Sequence, residues 1–400
     1  MKHWGADVEY VSGKAIVMDE YQKKWMKGKD NHTIGIRANY TPLPCDSDSF
    51  AAEYDYPTLS IGLRYSINNG ITMHRSTDRY WPLIIPVDYD SKLGNIITLY
   101  GKFSRPLYRS SKWELDYSLA VGVGYSKNKY NTFNAIDNEL IGSRWLIYFG
   151  AGLNATYRFT PQWGIKAGLE FYHHSNGALN RPNKGANIFG PSVALCYQPY
   201  AEEVAKNRHT FTPAGFERYW YMNITAGLGG KTMLEDWIHT QFETAPNESD
   251  YRTDRFNSYA AYSLQADIMY RYARRWASGV GIDLFYGTYS SHIKEMDELK
   301  GRHTKHSPWS IGIAAKHEVY YHNLSLAMSI GYYMFREMGH NAKANEKRYY
   351  ERIGVHYTFP SLGGLTIGGN VKAHLTKADL TEFVVSYPIK LGKRRASQQK

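Results

Sequence analysis

Residues 163–175 read Trp-Gly-Ile-Lys-Ala-Gly-Leu-Glu-Phe-Tyr-His-His-Ser. Successive side chains of a β-strand point to opposite faces, so residues two apart share one. One parity holds Trp163, Ile165, Ala167, Leu169, Phe171, His173 and Ser175; the other holds Gly164, Lys166, Gly168, Glu170, Tyr172 and His174, and leads to Asn176. The apolar face therefore ends in a histidine and a serine, while the charges lie on the opposite face. A base and a hydroxyl on the greasiest surface of a strand point to a substrate that lives in hydrocarbon.

The same alternation recurs on both sides of this strand. Trp113, Leu115, Tyr117, Leu119, Val121, Val123 and Tyr125 alternate with small or acidic residues, and Trp145, Ile147, Phe149, Ala151, Leu153, Ala155 and Tyr157 alternate with Leu146, Tyr148, Gly150, Gly152, Asn154, Thr156 and Arg158. Tyr262 to Tyr272 repeats the theme. Each apolar face is aliphatic in the middle and aromatic at the ends, the pattern of a transmembrane barrel with an outer apolar band between aromatic girdles. A soluble sandwich or lipocalin alternates too, but brackets its apolar stretch less regularly.

Composition agrees. The 400 residues carry 48 Lys and Arg against 37 Asp and Glu, a formal charge of +11, with 35 Tyr and 10 Trp. A basic balance suits nucleic acid, anionic lipid or a phosphorylated glycolipid. The aromatic wealth favours a membrane interface, and the absence of a nucleic-acid-binding motif argues against nucleic acid as a partner. Cys45 and Cys196 build neither a disulfide framework nor a metal site. No run of about 18 apolar residues offers a transmembrane helix, but a closed barrel also satisfies its backbone in lipid. The opening Met-Lys-His-Trp-Gly-Ala-Asp-Val-Glu-Tyr lacks an apolar core, so no signal peptide is read in this sequence.

Strands are predicted near 4–13, 33–40, 58–67, 94–105, 112–125, 143–158, 163–175 and 187–198, about eight in all. A short helix is expected within 18–28. Residues 201–216 read as a connector. A second set of about eight strands follows near 218–229, 257–272, 276–288, 308–321, 324–335, 347–358, 364–375 and 380–388. The expected fold is all-β: a transmembrane antiparallel β-barrel, as two eight-stranded barrels in tandem, with one sixteen-stranded barrel as the alternative. The domains are then a catalytic barrel over 1–200, the connector 201–216, a second, non-catalytic barrel-like half over 217–390, and a basic tail over 391–400 that includes Lys393, Arg394 and Arg395. The charged loop 291–306 is partly helical in pattern, and His303 and His306 within it are expected to be solvated.

The halves look related. Residues 115–125 resemble 322–332, and 163–175 resemble 365–377. In that register Leu375 and Lys377 stand where the first half has His173 and Ser175, and His374 belongs to the other parity. The second half thus has no copy of the pair.

A serine hydroxyl needs a neighbouring base to become a nucleophile, and imidazole is the usual one near neutral pH. Two residues apart on a strand, the side chains stand about 6–7 Å apart at Cβ, within reach of each other. A triad also needs an acceptor for the far imidazole nitrogen and donors for the oxyanion. Asn187 lies on the apolar parity of the next strand and is the candidate orienter. The loop between Gly177 and Gly185 supplies backbone N–H groups and Asn183. Asn176, on the inner parity, is expected to fix that loop, and His174 to be a satisfied interior histidine.

His-x-Ser-Asn-Gly followed by Asn-x-Gly-x-Asn, eight residues after the serine, resembles the lipid A 3-O-deacylase family (PagL-like acyloxyacyl hydrolases) of Gram-negative outer-membrane barrels. The similarity is best over 140–200. It implies an integral outer-membrane barrel with its site on the lipid-facing wall, hydrolysing the 3-position ester of lipid A in lipopolysaccharide. Carried over, Ser175 is the nucleophile, His173 the base, and Asn183 an oxyanion donor together with the Gly177 N–H. The family's acidic third member falls at Asn187, where this chain has an amide. No cofactor or metal is implied. The partners expected are lipid A and outer-membrane lipid, with a homodimer left open. The competing readings are a non-catalytic pore or scaffold with a relic motif, and an acyltransferase.

Overall fold

The computed structural model describes residues 3–375 and 377–392. Of the predicted tail 391–400, residues 393–400, with Lys393, Arg394 and Arg395, lie outside them.

Eight strands build the first barrel: β1 (Trp4–Ala15), β2 (Asp30–Tyr40), β3 (Thr58–Gly70), β4 (Ile96–Arg109), β5 (Trp113–Ser126), β6 (Trp145–Arg158), β7 (Trp163–Ser175) and β8 (Ala186–Tyr197). Each pairs antiparallel with its chain neighbour, and β1 pairs with β8 to close the ring. The second barrel repeats the plan with β9 (Tyr219–Thr232), β10 (Ser258–Ala273), β11 (Trp276–Gly287), β12 (His306–Tyr321), β13 (Leu324–Met338), β14 (Tyr349–Phe359), β15 (Leu365–His374) and β16 (Lys377–Leu391). Its closing pair is β9 with β16. The two rings are separate sheets, so the sixteen-stranded alternative does not form. The last strand runs to Leu391, the first residue of the predicted tail.

Closure leaves no open sheet edge, which lets a sheet cross lipid. The alternation then decides which side chains meet lipid. Along β7, Ile165 and Leu169 are exposed while Lys166 and Glu170 are buried. The buried charges pair inside the ring. Arg64 reaches Glu9 and Glu170 at 2.9 Å each, Lys102 reaches Glu170 at 2.9 Å, and Lys166 reaches Asp116 at 3.3 Å. Paired charges fill an eight-stranded interior without leaving an isolated ion in low dielectric. Outside, cross-strand aromatic pairs mark both rims. Trp113 meets Tyr157 and Trp163 meets Tyr197 at the end with short turns, and Tyr125 meets Trp145 at the other end.

The end of the first barrel with long loops carries the apolar core. Trp25 from the predicted helix (Glu20–Trp25), Ile71, Met73, Trp81 and Ile84 pack with Leu140, Ile141, Tyr148, Tyr172 and Ile188. The expected connector contains a helix, Ala201–Asn207, whose Val204 packs with Leu43, Tyr56 and Tyr200.

The compact units do not follow the linear division at 200 and 217. One comprises Met1–Asn176, Asn180–Ala214 and Asp236–Phe256; the other comprises Gly177–Leu179, Gly215–Glu235 and Asn257–Lys400. Segment 236–256 joins the first unit because Phe242 stacks edge-on against Tyr21 and Arg252 pairs with the buried Asp137.

The related stretches occupy equivalent places: 115–125 and 322–332 map to the fifth strand of each barrel, 163–175 and 365–374 to the seventh. The strand equivalence stops at His374. Leu375 turns with φ +50° and Lys377 opens β16, so the two do not share a strand as His173 and Ser175 do. His306 corrects another expectation: its side chain is buried and bonds Asp297 at 2.9 Å, because the helix Ser290–Leu299 folds over it.

Candidate active site

β7 delivers His173 and Ser175 at its last turn of pleat, on the end with long loops. Their neighbours are fixed by register. His173 stands opposite Asn187 of β8 and Phe149 of β6, and Ser175 stands opposite Ile147. The predicted orienter is in contact: His173 Nδ1 donates to Asn187 Oδ1 at 2.8 Å. This bond selects the tautomer that leaves the ε nitrogen as the basic one.

The pair does not lie on open wall. Ser175 is 8% exposed, against 49% for Leu169 on the same face. The site therefore sits at the rim, and among the described residues no hydrogen bond joins His173 to Ser175.

The loop beyond the serine is held by its amides. Asn176 N–H donates to Asn183 Oδ1 at 2.9 Å, which leaves the Asn183 NH₂ as a donor. Asn176 acts through its backbone; its side chain is buried with both polar atoms unpartnered among the described residues. The contact with the loop is thus made by the Asn176 backbone. Gly177 has φ +61°, a left-handed turn that glycine adopts without steric cost. His174 is the satisfied interior histidine expected, with Nε2 bonded to Thr98 Oγ1 at 2.9 Å.

Sequence reasoning missed Gly185. It has φ +78°, and a Cβ there would come within 2.4 Å of His173 Cε1. The glycine therefore forms a flat wall against the imidazole. The loop is tied down by a second one, since Lys184 N–H donates to Glu139 O at 3.1 Å and Gly185 N–H to Leu140 O at 2.8 Å. The visible signal was the glycine in Asn183-Lys-Gly-Ala-Asn187; its contact with His173 depends on how the hairpin folds back.

Among the described residues one group has metal-ligand geometry, Glu346, His374 and Asp379 in the second barrel. Arg336 already pairs with Glu346, and Lys231 and Lys372 with Asp379. Three cations against two carboxylates leave no negative charge for a cation to neutralise, so these residues do not fit a metal.

Fold and exposure pattern together define an integral outer-membrane-type β-barrel protein. Residues 61–195 match the family described as lipid A 3-O-deacylase (PagL), and residues 220–391 match that described as acyloxyacyl hydrolase, C-terminal domain. The chain belongs to this PagL-like family, its two halves falling to the two descriptions. A curated relative, membrane-bound lytic murein transglycosylase F of Histophilus somni (strain 2336), is 29% identical over 131 residues, 32% of this chain and 27% of that protein. This chain thus spans little more than a quarter of that relative. Among solved structures, the outer membrane enzyme PagL is 12% identical with a TM-score of 0.28, covering 48% of this chain and 98% of its own. The N-terminal β-barrel domain of Pseudomonas aeruginosa OprF is 12% identical with a TM-score of 0.24, covering 48% and 97%.

Proposed function

We propose that this protein is an outer-membrane serine esterase that removes the ester-linked acyl chain at the 3 position of lipid A. The observation that carries the reading is the His173–Asn187 bond at 2.8 Å, beside a serine on the apolar parity of a barrel strand. Polar side chains on the apolar parity, buried at the rim of that face, are costly unless partnered and call for a reason.

In this mechanism His173 Nε2 takes the Ser175 proton as Oγ attacks the ester carbonyl. The Gly177 N–H and the Asn183 NH₂ stabilise the oxyanion. Collapse breaks the ester C–O bond, and His173 returns the proton to the departing sugar hydroxyl. Water then attacks the acyl-enzyme by the same route and releases a fatty acid. Asn187 orients the imidazole but offers no full charge to stabilise the imidazolium.

The test is lipid A mass spectrometry from cells carrying the wild type, Ser175→Ala or no gene. The expected result is loss of one acyl chain with the wild type alone. Identical spectra in all three would overturn the reading in favour of a non-catalytic barrel; a gained chain would indicate an acyltransferase.

A further inference from the structure

The unit that holds His173 also contains Asp236–Phe256, which lies in sequence between β9 and β10, inside the part of the chain matched as the C-terminal domain. Arg252 is its anchor. The residue is 3% exposed and has φ +50°. Its backbone is held from both sides: Arg252 N–H donates to Thr240 O of its own segment at 2.9 Å, and its carbonyl accepts from Tyr130 OH, in the loop between β5 and β6, at 2.8 Å. Its guanidinium pairs with Asp137 and donates to Ile136 O at 3.3 Å.

Asp137 begins a buried stretch that ends at the site. Its second oxygen accepts from Arg75 N–H at 2.9 Å. Next, Asn138 Oδ1 accepts from Leu140 N–H at 3.1 Å, shaping the turn whose carbonyls at 139 and 140 receive Lys184 and Gly185. Gly185 is the wall against the His173 ring. Arg75, itself paired with Glu139, lies nearby, but Arg252 is the ion-pair partner of Asp137, and an under-paired buried carboxylate is expensive. A shift there moves the two carbonyls that hold the loop.

We infer that Arg252 is a positioning residue for the His173–Ser175 site, acting through Asp137, the 139–140 carbonyls and Gly185. The C-terminal domain thereby contributes to hydrolysis through a segment folded into the first unit, not through a second active site. The inference rests on the hydrolase reading, and the relay can be tested without it.

The full chain in lipopolysaccharide–detergent micelles is compared as wild type, Arg252→Gln, Arg252→Lys, Ser175→Ala and the exposed control Glu248→Gln. Heat-modifiable gel migration reports barrel closure, fatty-acid release gives kcat and KM, and hydrogen exchange reports the Gly185 amide. Arg252→Gln should migrate as folded, lose about tenfold or more in kcat with KM within about twofold, and exchange Gly185 faster. Arg252→Lys, which keeps the charge but not the fork of donors, should recover part of kcat, and Glu248→Gln should match the wild type. Unchanged kcat in Arg252→Gln overturns the inference, as does loss of barrel closure, which marks a structural role. If the wild type releases no more fatty acid than Ser175→Ala, the hydrolase reading fails instead. Gly185 exchange in Arg252→Gln then decides the relay alone: faster supports it, unchanged overturns it.

Discussion

In the mechanism proposed, an amide stands beside His173 at the position where the family resemblance implies a carboxylate. Asn187 Oδ1 accepts from Nδ1 at 2.8 Å and so holds tautomer and ring plane, but would contribute only a dipole to an imidazolium formed in the proposed attack. Asn187→Asp keeps the shape and adds the charge; kcat for fatty-acid release is expected to rise about tenfold, and Asn187→Leu to lose at least as much. A lower kcat in Asn187→Asp would show that the amide is tuned to this site. Gly185 is the second sensitive residue. Gly185→Ala puts a methyl into the imidazole and a side chain at φ +78°. Activity should drop on the order of a hundredfold while the barrel still migrates as folded. The pair and its amide partner were legible because strand period fixes which residues share a face, and a hairpin of known register brings the next strand's face alongside. Ser175's burial and Gly185's contact were not, since both depend on where loops return over the rim.

Among the elements, the strands and the helical stretches in loops 18–28 and 291–306 were readable, and the packing of those loops was not. Alternation predicted 163–175 without error and placed most other ends within two or three residues, because each strand has one lipid face and one polar face to satisfy. Loop 291–306 shows the limit. Its charge suggested solvation, yet Asp297 gathers Thr304 Oγ1, His306 Nε2 and the His340 N–H at 2.8–2.9 Å, tying the helix Ser290–Leu299 to the helix Gly339–Asn345. Burial alone would raise the Asp297 carboxyl, but those donors hold it below the ordinary carboxylate value. A carboxyl depressed by folding stabilises above its unfolded value of about 3.9, and that contribution is lost as pH falls through the folded value. Amide protection across 290–306 should therefore stay level from pH 7 to about pH 5 and weaken toward about pH 3. Asp297→Asn should flatten that dependence. Protection that weakens already between pH 7 and pH 5 would assign the tie to another group.

At the scale of the whole molecule, each half satisfies its own polar backbone and its own interior charges. Arg352 in the second barrel pairs with Asp283 and Glu382, much as Arg64 pairs with Glu9 and Glu170 in the first. That independence made two rings legible from strand count and alternation. The membership of 236–256 in the first unit left no periodic trace, because it rests on loop contacts: ion pairs of Arg252 with Asp137 and Asp254 with Lys129, hydrogen bonds of Arg252 and Gln241 with Tyr130, and the ring contact of Phe242 with Tyr21. If both outer faces meet lipid, a charge in mid-strand should cost the same in either. Leu169 on β7 and Leu264 on β10 are each 49% exposed on the apolar parity. Leu169→Arg and Leu264→Arg should each destabilise the folded protein in phospholipid vesicles by about 2–4 kcal/mol, the cost of arginine at the bilayer midplane. Urea unfolding followed by tryptophan fluorescence measures both against the wild type. A cost at Leu169 with none at Leu264 would place the second barrel's outer face in water and separate the two halves in environment as well as in chemistry.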